Sequence, residues 1–304
     1  MNAAVPPVDI QHRYEELKAR GFCIIPGALP VSILQNLAVD LEPVFERTPF
    51  CQGDFYGART KRFGRVLARS AHAVTVVQCR AILTLAHQIL DPACDRIQLN
   101  LTQAIGIHPG APEQFPHRDQ DMWQGVKGEH EYLLNVIWPL TAFTADNGAT
   151  RLFPGTHGRQ ALADTSPPPA EVAICHPGDA ICFLGSTLHA AGANTSETER
   201  RCLVTGYSLG WLKPYENQWL AYPPAVARNF PAGLAARIGY AQHRPNLGNY
   251  EGQCPSVLLG DDVPEYLAAI DALTPDQAEM LAEYGSTPSP VTGRIDPAGR
   301  DSDQ

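Results

Sequence analysis

Between residues 96 and 211 the chain presents a succession of apolar segments with no helical stretch between them, and few architectures accommodate that. RIQLNLTQAIGIH (96–108) alternates residue by residue, as does much of EYLLNVIWPLTAF (131–143). EVAICHPGDAICFLG (171–185) reads as two strands around a His-Pro-Gly-Asp turn, and RCLVTGYSLGW (201–211) as one more strand. Strands punctuated by Gly/Pro turns rather than by helices predict an antiparallel sandwich or barrel.

The flanks read differently. Ile10, Tyr14 and Leu17 share one face of a helix predicted over 8–20, stopped by Gly21. FCIIPG follows as a short buried strand. Ile33, Leu34, Leu37, Leu41 and Val44 predict a second helix from about Pro30 to Arg47, and a third covers about 72–90. Further helices are expected near 225–238 and 263–284, and the polar end from 286 to 304 reads as a mobile tail. The expectation is one domain over 1–285, mainly β with α. It has a helical part over 8–90, a β core over about 95–215 and a helical segment over 220–285.

Composition narrows the classes of partner. Of 304 residues 44% are hydrophobic and 18% charged, which is ample for a packed core. The formal charge is −9 with no dense basic stripe, so neither nucleic acid nor an anionic membrane is an expected partner. The opening residues carry no secretory pattern and no apolar run is long enough for a bilayer. The eight cysteines are scattered without a CxxC pair, which favours reduced thiols and a cytoplasmic protein.

Two segments carry candidate chemistry. In an extended Pro116-His117-Arg118-Asp119-Gln120-Asp121, His117, Asp119 and Asp121 share a face, so an imidazole and a carboxylate can grip one metal ion. One HxD among ten histidines is more often a surface turn. The second segment, Leu188-His189-Ala190-Ala191-Gly192, follows an apolar strand, where a histidine is commonly a satisfied core residue. Arg200 lies eleven residues beyond His189, within reach of a neighbouring strand. Two histidines and a carboxylate with open positions suit non-haem iron(II). A planar guanidinium suits the far carboxylate of 2-oxoglutarate. The combination is far rarer than its parts.

Those motifs make the chain resemble the phytanoyl-CoA dioxygenase (PhyH-like) family of iron(II)/2-oxoglutarate oxygenases, closest to its natural-product branch. The matching elements are GFCIIPG, PHRDQDMW, DNGATRLFPGTH, PGDAICFLGSTLHAAGANTSETERR and a GY before a proline-rich end. The resemblance implies a double-stranded β-helix (a jelly roll, cupin-like) braced by helices. It implies His117, Asp119 and His189 as iron ligands and Arg200 as the 2-oxoglutarate arginine. Arg201 would point the opposite way on a strand, and the family's spacing favours Asp119 over Asp121. Gln114, Thr150 and, with weaker support, Tyr207 are implied at the co-substrate. An aspartate at position 119 disfavours halogenation, for which relatives carry a small residue there.

The implied reaction couples decarboxylation of 2-oxoglutarate, with dioxygen as co-substrate, to oxidation of an unactivated C–H bond in a small molecule. Hydroxylation is the default outcome; desaturation or rearrangement differ in how the substrate is held. Candidate pocket residues are Phe55, Tyr56, Lys61, Arg62, Met122, Trp123 and Trp211, with plain packing as the competing account of the tryptophans. The substrate class is a secondary metabolite, with acyl-CoA hydroxylation as the alternative; a homodimer is a further expectation. A non-catalytic binding protein, a zinc hydrolase and a jelly-roll metal enzyme without 2-oxoglutarate are the competing functions. None of the three uses the whole set of two histidines, an aspartate and Arg200.

Overall fold

The computed structural model describes residues 8–163 and 166–286, so the expected tail lies almost wholly outside the described residues. The strands are β1 (Phe22–Ile25), β2 (Thr60–Phe63), β3 (Ile97–Ile107), β4 (Leu133–Pro139), β5 (Thr150–Leu152), β6 (Glu171–Val172), β7 (Ala180–Leu184), β8 (His189–Ala191) and β9 (Arg200–Leu209). They pair into an antiparallel six-stranded sheet, β1-β7-β4-β9-β3-β2, and a three-stranded sheet, β6-β5-β8. The two sheets face each other as the walls of a jelly roll. Ile105, Ile137, Ile181 and Phe183 of the larger wall meet Ala149 and Leu152 beside the smaller one in a single apolar cluster.

Helices α1 (Ile10–Arg20), α2 (Val31–Arg47), α3 (Ala71–Val77) and α4 (Arg80–Leu90) cover the outer face of the larger sheet. Ile82, Leu85, Ala86 and Leu90 of α4 recur at helical spacing and are fully buried, as are Leu34, Leu37, Leu41 and Phe45 of α2. Each such aliphatic residue contributes roughly 1.5–3 kcal/mol of burial. Leu134, Val136 and Trp138 of β4 and Leu203, Tyr207 and Leu209 of β9 join that outer core. Their neighbours in sequence face the interior between the sheets. Central strands are therefore apolar on both faces, which is why LLNVIWP reads as a run rather than as an alternation.

Strand β3 changes phase partway. Its register with β9 shifts between Leu99 and Leu101, leaving Asn100 unpaired. Leu99 packs on the helical side, whereas Ile105 and Ile107 point between the sheets. A bulge of this kind re-aims the side chains that follow it.

Four expectations about the flanks are corrected. The helix expected over 72–90 is two, α3 and α4, broken at Gln78-Cys79. The β-branched run Val74-Thr75-Val76-Val77 disfavours continuing the helix, and the break frees the Val77 carbonyl for another partner. Strand β2 lies inside the part read as helical, where TKRF gave only a weak alternation. Near the C-terminus, Pro231 divides the expected 225–238 helix into Pro224–Ala227 and Ala232–Arg237. The last helix begins only at Pro275, where Thr274 and Gln277 cap each other's backbone N–H.

The eight cysteines are free thiols. Among the described residues no single helix is long and apolar enough to cross a membrane; the bent pair Ala71–Val77 and Arg80–Ala93 passes by length and composition together.

Candidate active site

His117 and His189 come together through backbone pairing. They form an isolated antiparallel bridge in which each N–H donates to the other's carbonyl at 3.0 Å. Directly opposed residues project to the same side, and the two rings sit 4.4 Å apart between centroids. After Arg118, still extended, the chain turns into a 3-10 segment, Asp119–Met122. That turn swings the Asp119 carboxylate back: Oδ1 lies 3.4 Å from His117 Nε2 and Oδ2 3.6 Å from His189 Nε2. Asp121, in the same turn, is exposed.

The donor set fits a metal ion. One ligand atom from each of His117, Asp119 and His189 lies within 4.8 Å of the others. His117 Nδ1 is 2.9 Å from the Phe115 carbonyl and His189 Nδ1 is 3.1 Å from the Thr187 carbonyl. A carbonyl only accepts, so each Nδ1 carries a proton, which leaves each Nε2 turned inward as the nitrogen that can ligate. Two lone pairs and a carboxylate converging on one space call for a cation between them. Burial works against ionising Asp119, yet the two histidines and Arg62 hold its carboxyl at about 2. Burial pushes the His189 imidazole down, against the opposing pull of Asp119, so it is neutral and available as a ligand near neutral pH.

These groups sit in the wall of a cavity between the two sheets, and Arg200 lies in the same wall. The Arg200 side chain is 2% exposed. Its Nε and Nη2 donate to the Gly148 carbonyl at 3.1 and 2.5 Å, and its guanidinium lies 4.2 Å over the Phe143 ring. Among the described residues no acidic side chain pairs with it. A buried cation without a counter-ion costs several kcal/mol, which is reasonable where an anionic ligand completes the site. Arg201, on the other face of β9, pairs instead with Glu42 and Glu199 and lies over Phe45.

The remaining candidates divide. Gln114, Thr150, Phe55, Tyr56, Arg62 and Met122 all line the cavity. Tyr207 does not. Its hydroxyl donates to the Val77 carbonyl at 2.7 Å, in the outer core. Seven residues separate it from Arg200 on one continuous strand, and an odd separation means opposite faces. Trp123 is also misplaced by the sequence reading, since its indole N–H donates to the Lys213 carbonyl and its ring packs near Tyr132. Trp211 donates to the Ala93 carbonyl and lines a separate surface groove. Lys61 points outward to the Phe45 carbonyl while Arg62, the next residue on β2, points in.

Sequence reasoning missed Gln103 and Asn135, both in the cavity wall. The signal for Asn135 was present, because it is the one polar residue in LLNVIWP. Tyr207→Phe is expected to cost about 1–2 kcal/mol of stability through the unpaired Val77 carbonyl. It should leave the KM for 2-oxoglutarate unchanged. Chemical denaturation and steady-state kinetics on the same preparation check both.

Comparison with known proteins identifies the family. The sequence pattern of the phytanoyl-CoA dioxygenase (PhyH) family matches residues 17–202. The dioxygenase trt7 of Aspergillus terreus is 30% identical over 220 residues, spanning 67% of this chain and 74% of that protein. The multifunctional dioxygenase ausE of Aspergillus calidoustus is 29% identical over 262 residues, 78% of this chain and 85% of that one. Among solved structures, the α-ketoglutarate-dependent epimerase SnoN from nogalamycin biosynthesis superposes with a TM-score of 0.56 at 15% identity, covering 66% of this chain and 82% of that one. HygX of Streptomyces hygroscopicus, solved with nickel and 2-oxoglutarate, gives 0.52 at 13% identity over 68% and 89%. The chain belongs to the phytanoyl-CoA dioxygenase family and is a 2-oxoglutarate-dependent non-haem iron dioxygenase.

Proposed function

We propose that His117, Asp119 and His189 hold the iron(II) ion and that Arg200, with Thr150 and Gln114 beside it, seats 2-oxoglutarate. The substrate oxidised at the site is then a small secondary metabolite. The observation carrying this reading is a buried guanidinium, without an acidic partner among the described residues, in the same cavity wall as two imidazoles and a carboxylate within 4.8 Å of one another.

When bound, iron(II) and 2-oxoglutarate supply the oxidising power, with dioxygen reduced as the keto acid is decarboxylated to succinate. The chain's own residues do the rest. Arg200 offers a planar fork to the distal carboxylate and stays charged when desolvated. Arg62 supplies a second positive charge near Asp119 and His189, and its Nε is buried without a partner. Its charge would favour an anionic group held in this part of the cavity. Ile105, Ile107, Ile137 and Phe183 keep the wall dry. Phe55, Tyr56 and Met122, partly exposed at the edge of the same cavity, are placed to contact the substrate.

Two observations support a free metabolite over an acyl-CoA thioester. Among the described lining residues the cations are Arg200, held on the Gly148 carbonyl, and Arg62, which lies 4.9 Å over the Tyr56 ring and bonds Gln103, a small cationic complement for a nucleotide's phosphates. The likeness to SnoN, from nogalamycin biosynthesis, also fits natural-product work.

Anaerobic addition of iron(II) and 2-oxoglutarate tests the reading. A weak visible charge-transfer band is expected from the purified protein, and succinate release on admitting oxygen. A protein that binds iron(II) but gives no band with 2-oxoglutarate would overturn it.

A further inference from the structure

Strand β4 carries one polar residue, Asn135, in the run Leu133-Leu134-Asn135-Val136-Ile137-Trp138-Pro139. It is fully buried and sits at mid-strand, opposite Gly206 on β9 and Phe183 on β7. Its side chain lines the cavity between the sheets. Asn135 Nδ2 donates to Asp119 Oδ2 at 2.7 Å. The orientation of the amide follows from the partner, because an ionised carboxylate accepts only. Asn135 Oδ1 is buried and has no hydrogen-bond partner.

Packing alone would not place an amide here. A leucine would fill the same volume, and an unpaired buried acceptor costs roughly 1–3 kcal/mol. Gly206 is matched to it: a Cβ at that position would lie 3.2 Å from Asn135 Oδ1 and 3.1 Å from Leu101 Cδ2, tighter than ordinary contact. The amide thus sits in a space that the facing strand leaves open, at the cost of one unpaired acceptor, and makes a single strong contact. That contact is to the carboxylate of the triad.

The contact makes the two oxygens of Asp119 unequal. Oδ2 accepts the Asn135 N–H at 2.7 Å and lies 3.6 Å from His189 Nε2, whereas Oδ1 lies 3.4 Å from His117 Nε2 and accepts no amide N–H among the described residues. We propose that Asn135 is a positioning residue for the metal centre, holding Oδ2 so that Asp119 offers the ion Oδ1 alone. A hydrogen bond on one oxygen disfavours turning the carboxylate to offer both, which would leave room at the ion for co-substrate and dioxygen. This rests on Asp119 being a metal ligand, and the test separates the two ideas.

The test uses the full chain with Asn135→Leu, which fills the volume without a donor, and Asn135→Ala as a second variant. Three quantities are read for each: apoprotein Tm, Mn(II) affinity by equilibrium dialysis, and the position of the anaerobic iron(II)–2-oxoglutarate band. Wild type should bind Mn(II) and show the band; if it does neither, the metal assignment itself fails. Given a wild-type site, at least one variant is expected to keep the wild-type apoprotein Tm while binding Mn(II) roughly 10–100-fold more weakly, the usual cost of losing an outer-sphere partner. Its band should be shifted or lost. Mn(II) affinity within twofold of wild type and an unshifted band, in whichever variant folds, would overturn the proposal. So would weakened affinity seen only alongside a matching collapse of the apoprotein Tm in both variants, because Asn135 would then be holding the fold rather than the ligand.

Discussion

His189→Ala is expected to leave a folded protein that no longer retains iron(II). The ring is 7% exposed and sits between Phe183, 4.5 Å away, and His117, 4.4 Å away. Deleting it removes packing, but Asp119 keeps the Asn135 hydrogen bond and the neighbouring His117 and Arg62. The net cost to the apoprotein is about 1–2 kcal/mol, a Tm change of a few degrees. The effect on metal binding is far larger. Losing an outer-sphere partner costs roughly 10–100-fold, and a ligand that touches the ion counts for more. Metal affinity should therefore fall by more than about a hundredfold, the charge-transfer band should vanish, and succinate release should drop below detection. Metal analysis after dialysis and the anaerobic spectrum read the first two directly. Full retention of the band in this variant would remove His189 from the triad.

Arg200→Met should likewise separate binding from stability, this time for 2-oxoglutarate. Truncating one member of a buried charged contact costs 2–5 kcal/mol or more, which is roughly 30-fold to several thousand-fold at about 1.4 kcal/mol per decade. The KM for 2-oxoglutarate is expected to rise by that factor. Apoprotein stability should fall by no more than about 1 kcal/mol. The hydrogen bonds to the Gly148 carbonyl are lost, but so is a desolvated charge with no acidic partner. Arg200→Lys should fall between the two, because an ammonium restores charge without the two-pronged geometry. Calorimetry of 2-oxoglutarate binding and thermal unfolding of the apoprotein decide the matter. A variant with an unchanged KM and a large loss of stability would make Arg200 a structural clasp for the Gly148 turn.

Much of the site was readable because its chemistry is concentrated in short motifs. HRD at 117–119, the histidine after AICFLGSTL and the arginine after ANTSETE stand at fixed spacings along nearby segments. The family resemblance pointed to Arg200 and strand parity set Arg201 aside; the same parity argument, extended along β9, would have moved Tyr207 out of the site. It failed for Trp123 and Trp211 because those residues lie in loop and turn, where no period fixes direction. Arg62 and Lys61 sit in an edge strand of four residues, too short for the alternation to declare itself.

The sequence by itself determined the antiparallel β core and the helical character of the segments that brace it. Those features are written in local period and turn chemistry, and each can be read within a dozen or so residues. Only the tertiary structure decided which face of the larger sheet is cavity and which is helical core. Because helices cover one face and the smaller sheet the other, both faces are apolar and the alternation that would distinguish them is erased. It also decided that Asn135 reaches Asp119 and that Asn100 shifts β3 by one residue. Both depend on pairing between strands far apart in the chain, which no local pattern records.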